Sequence, residues 1–241
     1  MAQAILSISV EEPADGPHNM AEDRHWLEAA ETAAAPLTRV RLYRWDPPTA
    51  SIGRHQTPES ALALDVCVLE GVPVVRRPTG GRAVFHDSSE LTYSVVSNST
   101  MLAGAGGITE TYRRIAAVLR AGLKAVGAET RLARVGASGR DAGPERRQPC
   151  FASASRHELL WSGRKIAGSA QCRLRKAVLQ HGSIPVTIDY ARMARILGTR
   201  EGFLRQRMVS VSEAAGHPVE VEELVEAMVR AFESWFDVTL A

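Results

Sequence analysis

Long apolar runs are missing from this chain, and so are metal-ligand clusters. No segment approaches the roughly 20 apolar residues that a membrane-spanning helix needs, and the first residues, Met1 to Ser7, lack the basic region and apolar core of a signal peptide. Only three cysteines occur, Cys67, Cys150 and Cys172. They cannot all pair with one another, and they show neither CxxC spacing nor accompanying histidines at zinc-ligand spacing. A reduced, cytoplasmic setting is expected, with no metal. A net charge of +2 over 241 residues leaves too little excess of basic groups for bulk nucleic-acid binding. Neither GxxxxGK[ST] nor GxGxxG is present, which removes the common nucleotide cradles.

With 45% hydrophobic residues the chain can build a proper core. Helical spacing is expected over Asn19–Ala35, Thr109–Val126, Tyr190–Leu197 and Val221–Phe236, and in a shorter form from Pro58 to Glu70. Alternation predicts strands at Val40–Trp45 with one wet face, at Thr49–Gly53, Val72–Val75 and Leu91–Val96, and within Lys176–Ile188. Glu158–Gly168 reads as a hairpin turning at Ser162-Gly163, and the Gly- and Pro-rich stretch 136–149 as a loop. With no repeat and no evident boundary, residues 1–241 are read as a single domain. Its class is α+β: a mixed, mainly antiparallel, curved sheet flanked by helices.

The densest segment is Arg76-Arg77-Pro78-Thr79-Gly80-Gly81-Arg82-Ala83-Val84-Phe85-His86-Asp87. Guanidinium groups beside a glycine turn can cradle carboxylate, phosphate or carbonyl oxygen, but a plain hairpin with solvated arginines fits the same spacing. Cys150 stands at a loop-to-element junction, where a thiol can be exposed and nucleophilic or simply packed as a small hydrophobe. Lys165 precedes the small-residue run Gly168-Ser169-Ala170, so it could reach an oxyanion or sit exposed on the hairpin. Cys172 is a rival thiol, Cys67 reads as core, and His86 and His181 are candidate polar contacts.

Taken together these segments resemble the lipoate-protein ligase and octanoyltransferase superfamily, which has a biotin/lipoate ligase-like catalytic domain. The resemblance rests on the glycine turn, on Gly163 to Gln171 as a lysine motif, on Leu179-Gln180-His181-Gly182-Ser183-Ile184 and on Pro48 to Gln56. Arg82, where ATP-using ligases usually carry a third glycine, is similar to the cysteine-dependent octanoyltransferase branch, as is Cys150-Phe151 ahead of the lysine motif. A chain ending at Ala241 would also leave no room for an accessory ligase domain. The resemblance implies a catalytic pair, Cys150 and Lys165. It also implies substrate contacts from Arg76, Gly80, Gly81, Arg82, His86, Gly168, Ser169, Ala170 and His181. The implied partners are acyl carrier protein as octanoyl donor and a lipoyl domain as acceptor, such as glycine cleavage H protein or a 2-oxoacid dehydrogenase E2. No cofactor is implied. The alternatives are an ATP- and Mg-dependent lipoate-protein ligase and a non-catalytic binder of acylated carriers.

Overall fold

A computed structural model of the protein describes residues 5–103, 107–133 and 158–240. A seven-stranded sheet runs in the order β1 (Ile5–Val10), β2 (Leu37–Tyr43), β6 (Glu90–Ser97), β10 (Val178–Pro185), β9 (Arg164–Arg173), β8 (Leu159–Trp161) and β7 (Arg131–Leu132). Only the β1–β2 pair is parallel; every other pairing is antiparallel. A second sheet of three short strands has β3 (Thr49–Ile52) between β4 (Val74–Arg76) and β5 (Val84–His86). The mixed, mainly antiparallel α+β class expected from the sequence is the one observed.

Helices cover both faces of the large sheet. α1 (Gly16–Thr32) lays Leu27 and Ala30 on Leu37, Val96 and Leu179. On the other face α5 (Gly107–Ala125) and α9 (Val221–Leu240) enclose a core that includes Ile115, Leu119, Leu123, Leu224, Met228 and Phe232 against Val40, Leu42, Tyr93 and Val95. These buried residues stand at the helical spacing of the expected stripes, in which Tyr112 and Trp235 are only half-buried. α1 begins three residues before the expected start because the Asp15 side chain accepts from the His18 N–H at 2.8 Å, with Pro17 in the first turn.

Several local expectations are corrected. β2 has no wet face: it is a central strand covered on both sides, so even Arg41 is buried. The expected helix over Pro58–Glu70 is two short ones, α2 (Pro58–Ala61) and α3 (Leu64–Leu69). β4 and β5 do not form a hairpin, because β3 lies between them, parallel to β4 and antiparallel to β5. The glycine turn 77–83 therefore crosses over the end of β3. β1, α7 (Glu201–Arg207) and α8 (Val211–Ala215) are additional to the sequence reading. The loop expected at 136–149 lies outside the described residues, and so does Cys150.

The crossover is tight at one point. A Cβ on Gly53 would stand 2.0 Å from the Gly81 carbonyl oxygen, and Gly81 itself has φ +92. At Gly80 a Cβ would meet nothing within 4 Å. Gly53→Ala is therefore expected to lower stability by about 1–3 kcal/mol through backbone displacement, while Gly80→Ala should change it by less than about 1 kcal/mol. Urea denaturation of the two variants side by side checks this, and comparable losses would contradict the crossover geometry.

Candidate active site

Two adjacent rows of the large sheet make the floor of a slot. In one row Arg41 pairs with Ser94, Ser94 with His181, and His181 with Ala170; in the next, Tyr43 pairs with Thr92, Thr92 with Ser183, and Ser183 with Gly168. Residues two apart on a strand share a face, so both rows look the same way. Met20 of α1, Trp45, Arg77, Val84 and His86 of β5, and Ser169 and Gly182 also line it. The slot is narrow: the space it leaves for a water-sized molecule is about 30 Å³, at the base of a cleft open to solvent. A separate groove, lined by residues that include Ser89, Thr187, Glu213 and His217, shares no residue with it.

α1 drops a carboxylate onto the first row. Ser94 is small enough to leave room between Arg41 and His181, and Asp23, 0% exposed, fills the gap. Its Oδ1 accepts from Arg41 Nη1 at 2.6 Å; its Oδ2 is 2.7 Å from His181 Nδ1 and accepts from Tyr43 Oη at 3.1 Å. His181 Nε2 is 2.7 Å from Thr79 Oγ1, at the start of the glycine turn. Burial is the largest influence on both partners, and it acts in opposite senses. Alone it would raise the Asp23 carboxyl, but the hydrogen bond from His181 and the charge of Arg41 outweigh it and hold Asp23 below its ordinary value. For His181 burial wins: it holds the imidazole below its ordinary value against the opposing pull of Asp23, with the charges of Arg77 and His86 adding to the lowering. The pair is thus carboxylate and neutral imidazole. With Nδ1–H directed at Asp23, the Thr79 hydroxyl can donate to Nε2.

A second chain of the same kind crosses the slot. Arg77 Nη1 donates to Ser51 Oγ at 2.7 Å, Ser51 Oγ is 2.6 Å from His86 Nε2, and His86 Nδ1 is 2.6 Å from Glu90 Oε1. Glu90 also accepts from Thr92 and Ser183, and Thr92 Oγ1 accepts from the Trp45 indole N–H. The Trp45 and His86 rings stack at 4.0 Å. The other guanidinium nitrogen of Arg77, Nη2, donates to the carbonyls of Gly80 and Arg82 at 3.1 and 2.9 Å. That arginine is therefore the clamp that shapes the glycine turn. At the far side Ser169 Oγ lies 2.7 Å from Tyr93 Oη, which also accepts from Gln180 Nε2; burial, partly offset by these two bonds, pushes the phenol up to about 12.

Of the residues expected from the sequence, His86, Gly168, Ser169, Ala170 and His181 line the slot. Gly80, Gly81 and Arg82 stand beside it on the turn held by Arg77. Arg76 points elsewhere: its Nη1 donates to the carbonyls of Gly53, Arg54 and Gln56. Lys165 is buried rather than exposed, and its ammonium pairs with Glu158 at 2.5 Å. Cys172 is buried with Arg54 Nη1 at 3.8 Å, and Cys67 is buried core, as expected. Asp23, Thr79, Glu90, Ser51 and Glu158 escaped the sequence reading. Asp23 had left a trace, since it lies between Met20 and Leu27 on the stripe of α1 that faces the sheet. Among the described residues no group of three or more His, Cys, Asp or Glu could hold a metal ion, and no helix is long and apolar enough to cross a membrane.

The fold is that of a lipoyl protein ligase-type catalytic domain. A family model, the lipoyl protein ligase A/B catalytic domain, matches residues 15–233, and the chain belongs to that family. It is 39% identical over 239 residues to the octanoyltransferase LipM of Symbiobacterium thermophilum, covering 93% of this chain and 84% of that protein. To the octanoyltransferase LipM of Moorella thermoacetica it is 38% identical, covering 95% and 84%. Among solved structures, a bi-partite lipoate protein ligase of Thermoplasma acidophilum, described with its E2 lipoyl domain, shares the fold at a TM-score of 0.75 and 22% identity, covering 98% of this chain and 85% of that one. A lipoate-protein ligase A bound with ATP does so at 0.74 and 21%, covering 98% and 86%.

Two consequences of the buried groups can be measured. Because His181 holds its proton less tightly folded than unfolded, stability is full above about pH 6.5, the ordinary histidine value, and falls as the pH drops below it. The slope from this one group is at most about 1.4 kcal/mol per pH unit. Urea denaturation between pH 7.5 and 5 should show this decline, and His181→Gln should flatten it. Removing Lys165 alone leaves Glu158 buried without its ammonium partner. Lys165→Met is therefore expected to lose about 3–5 kcal/mol, and Lys165→Met with Glu158→Gln distinctly less, as a double-mutant cycle by chemical denaturation would show.

Proposed function

We propose that the protein is an octanoyltransferase of lipoate assembly, moving an octanoyl group from acyl carrier protein to a lysine of a lipoyl domain, with residues 1–241 acting as one catalytic unit in the cytoplasm. The observation that carries this reading is the 38–39% identity to octanoyltransferases over nine-tenths of the chain. The slot is consistent with it. Its small residues Gly168 and Ala170 lie in one cleft with apolar surface from Met20, Tyr43 and Trp45, and polar groups sit at its edges.

In the proposed reaction the Cys150 thiolate attacks the thioester carbonyl. The new carbon–sulfur bond forms as the carrier's leaves, and the carrier thiolate takes up the proton that Cys150 released. The ε-amine of the acceptor lysine then attacks the acyl-enzyme, an amide forms, and the amine proton returns to the cysteine sulfur. Lys165 favours negative charge on the acyl oxygen or on the thiolate. In the structure that ammonium is held by Glu158, so this use requires the pair to part when the acyl group arrives. Arg82 and the glycine turn bear on the donor's oxygens. Neither nucleotide nor metal takes part.

Intact-mass measurement after incubation with octanoyl-acyl carrier protein should show one octanoyl adduct, absent in Cys150→Ala together with transfer to a lipoyl domain. Free lipoate with ATP and magnesium should give no lipoylation in a parallel assay. A Cys150→Ala protein that still forms the adduct would remove the nucleophile, and ATP-dependent lipoylation would replace the reading with a lipoate-protein ligase.

A further inference from the structure

The segments that meet at the slot are segregated by charge. No Asp or Glu occurs in residues 47–58, 71–86 or 159–188, although these stretches carry Arg54, Arg76, Arg77 and Arg82 and a further five arginines and lysines. The fold brings the loops that carry the first four together, with Arg54 and Arg76 exposed beside the turn and Arg77 buried within it. The Arg54 N–H donates to the Thr79 carbonyl at 2.9 Å, which fastens the loop after β3 to the glycine turn. Arg76 binds the carbonyls of that same loop, and Arg77 binds those of the turn.

What these cations touch matters as much as their number. Several arginines elsewhere on the surface meet carboxylates: exposed Arg195 meets Glu70, Arg113 meets Glu110 and Arg205 meets Glu201, with half-buried Arg192 and Arg114 joining the first two pairs. Arg54 and Arg76 instead have neutral partners. Arg76 donates to backbone carbonyls, and exposed Arg54 donates to His55 Nε2 at 3.3 Å and to the Cys172 sulfur at 3.8 Å. Their charge is therefore left to act outward. A rim of one sign beside a low-dielectric cleft concentrates field lines and draws in partners of the opposite sign.

We propose that this rim, with Arg54 at its outer edge, is the docking surface for the acyl donor, which is a carrier protein with an acidic face beside its thioester arm. The proposal rests on the octanoyl-transfer reading and adds where the donor binds and by what force. A carrier docked on the arginines would present its arm to the slot between the turn and β9, while the acceptor lipoyl domain would make no use of Arg54.

The test compares wild type with Arg54→Glu, Arg54→Gln and Arg54→Lys on two donors, octanoyl-acyl carrier protein and a small neutral octanoyl thioester. Binding of the carrier without its acyl group is titrated separately. At low salt Arg54→Glu should raise KM for the carrier donor at least tenfold and weaken carrier binding equally. Arg54→Gln should give a smaller effect in the same direction and Arg54→Lys should stay within about threefold of wild type. The difference should shrink at 0.5 M salt, and turnover of the neutral thioester should stay within twofold throughout. Equal losses on both donors, or a changed KM for the lipoyl domain alone, would overturn the proposal while leaving octanoyl transfer intact. Arg54-dependent carrier binding without transfer by the wild type would instead overturn the functional reading and leave the docking surface standing.

Discussion

The structure depends on one buried carboxylate. Asp23 sits with no solvent contact between Arg41 of β2 and His181 of β10, and it can remain charged there only because both neighbours serve it. Three elements separated by long stretches of sequence are fixed by that single group: α1, the middle of the large sheet, and through His181 and Thr79 the glycine turn. A neutral imidazole is needed at the hinge of this arrangement, since a second cation beside Arg41 and Arg77 would be opposed by both. Burial, with the charge of Arg77 adding to it, holds His181 in that form.

The Glu90 chain repeats the solution on the other wall. Its carboxylate takes hydrogen bonds from Thr92 and Ser183 and orients His86, and His86 in turn meets Ser51, which Arg77 also holds. The two chains meet in the turn, one through Thr79 and the other through Arg77. Walls held from both sides by satisfied polar networks have little freedom to shift.

Much of this was legible in the sequence where the pattern is local. Helical stripes in α5 and α9, the strand holding His181, and the glycine turn itself follow from spacing and residue type. What was not legible depends on pairing between distant strands. Arg41 reads as the wet side of an alternating strand, and only the arrival of Asp23 and Glu11 from elsewhere makes its burial tolerable. Likewise β4 and β5 look like the arms of a hairpin, because nothing in residues 74–86 reveals that β3 will come between them. Lys165 was singled out by the small residues that follow it. That it is buried depends on Glu158, a residue no spacing rule connects with it.

The same distinction explains why the arginines of the turn have different duties despite adjacent positions. Arg76 and Arg77 point to opposite sides of the chain, as neighbours leaving a strand do. Arg77 is drawn inward, where Ser51 and the turn carbonyls satisfy it, and its charge becomes part of the wall. Arg76 is left outside on neutral carbonyls beside Arg54. A cation bound only to carbonyl oxygen keeps its full charge, whereas one bound to a carboxylate loses most of its reach. The absence of Asp and Glu from all three segments around the slot is therefore a structural quantity: it sets which side of the glycine turn holds the fold together and which side meets a partner.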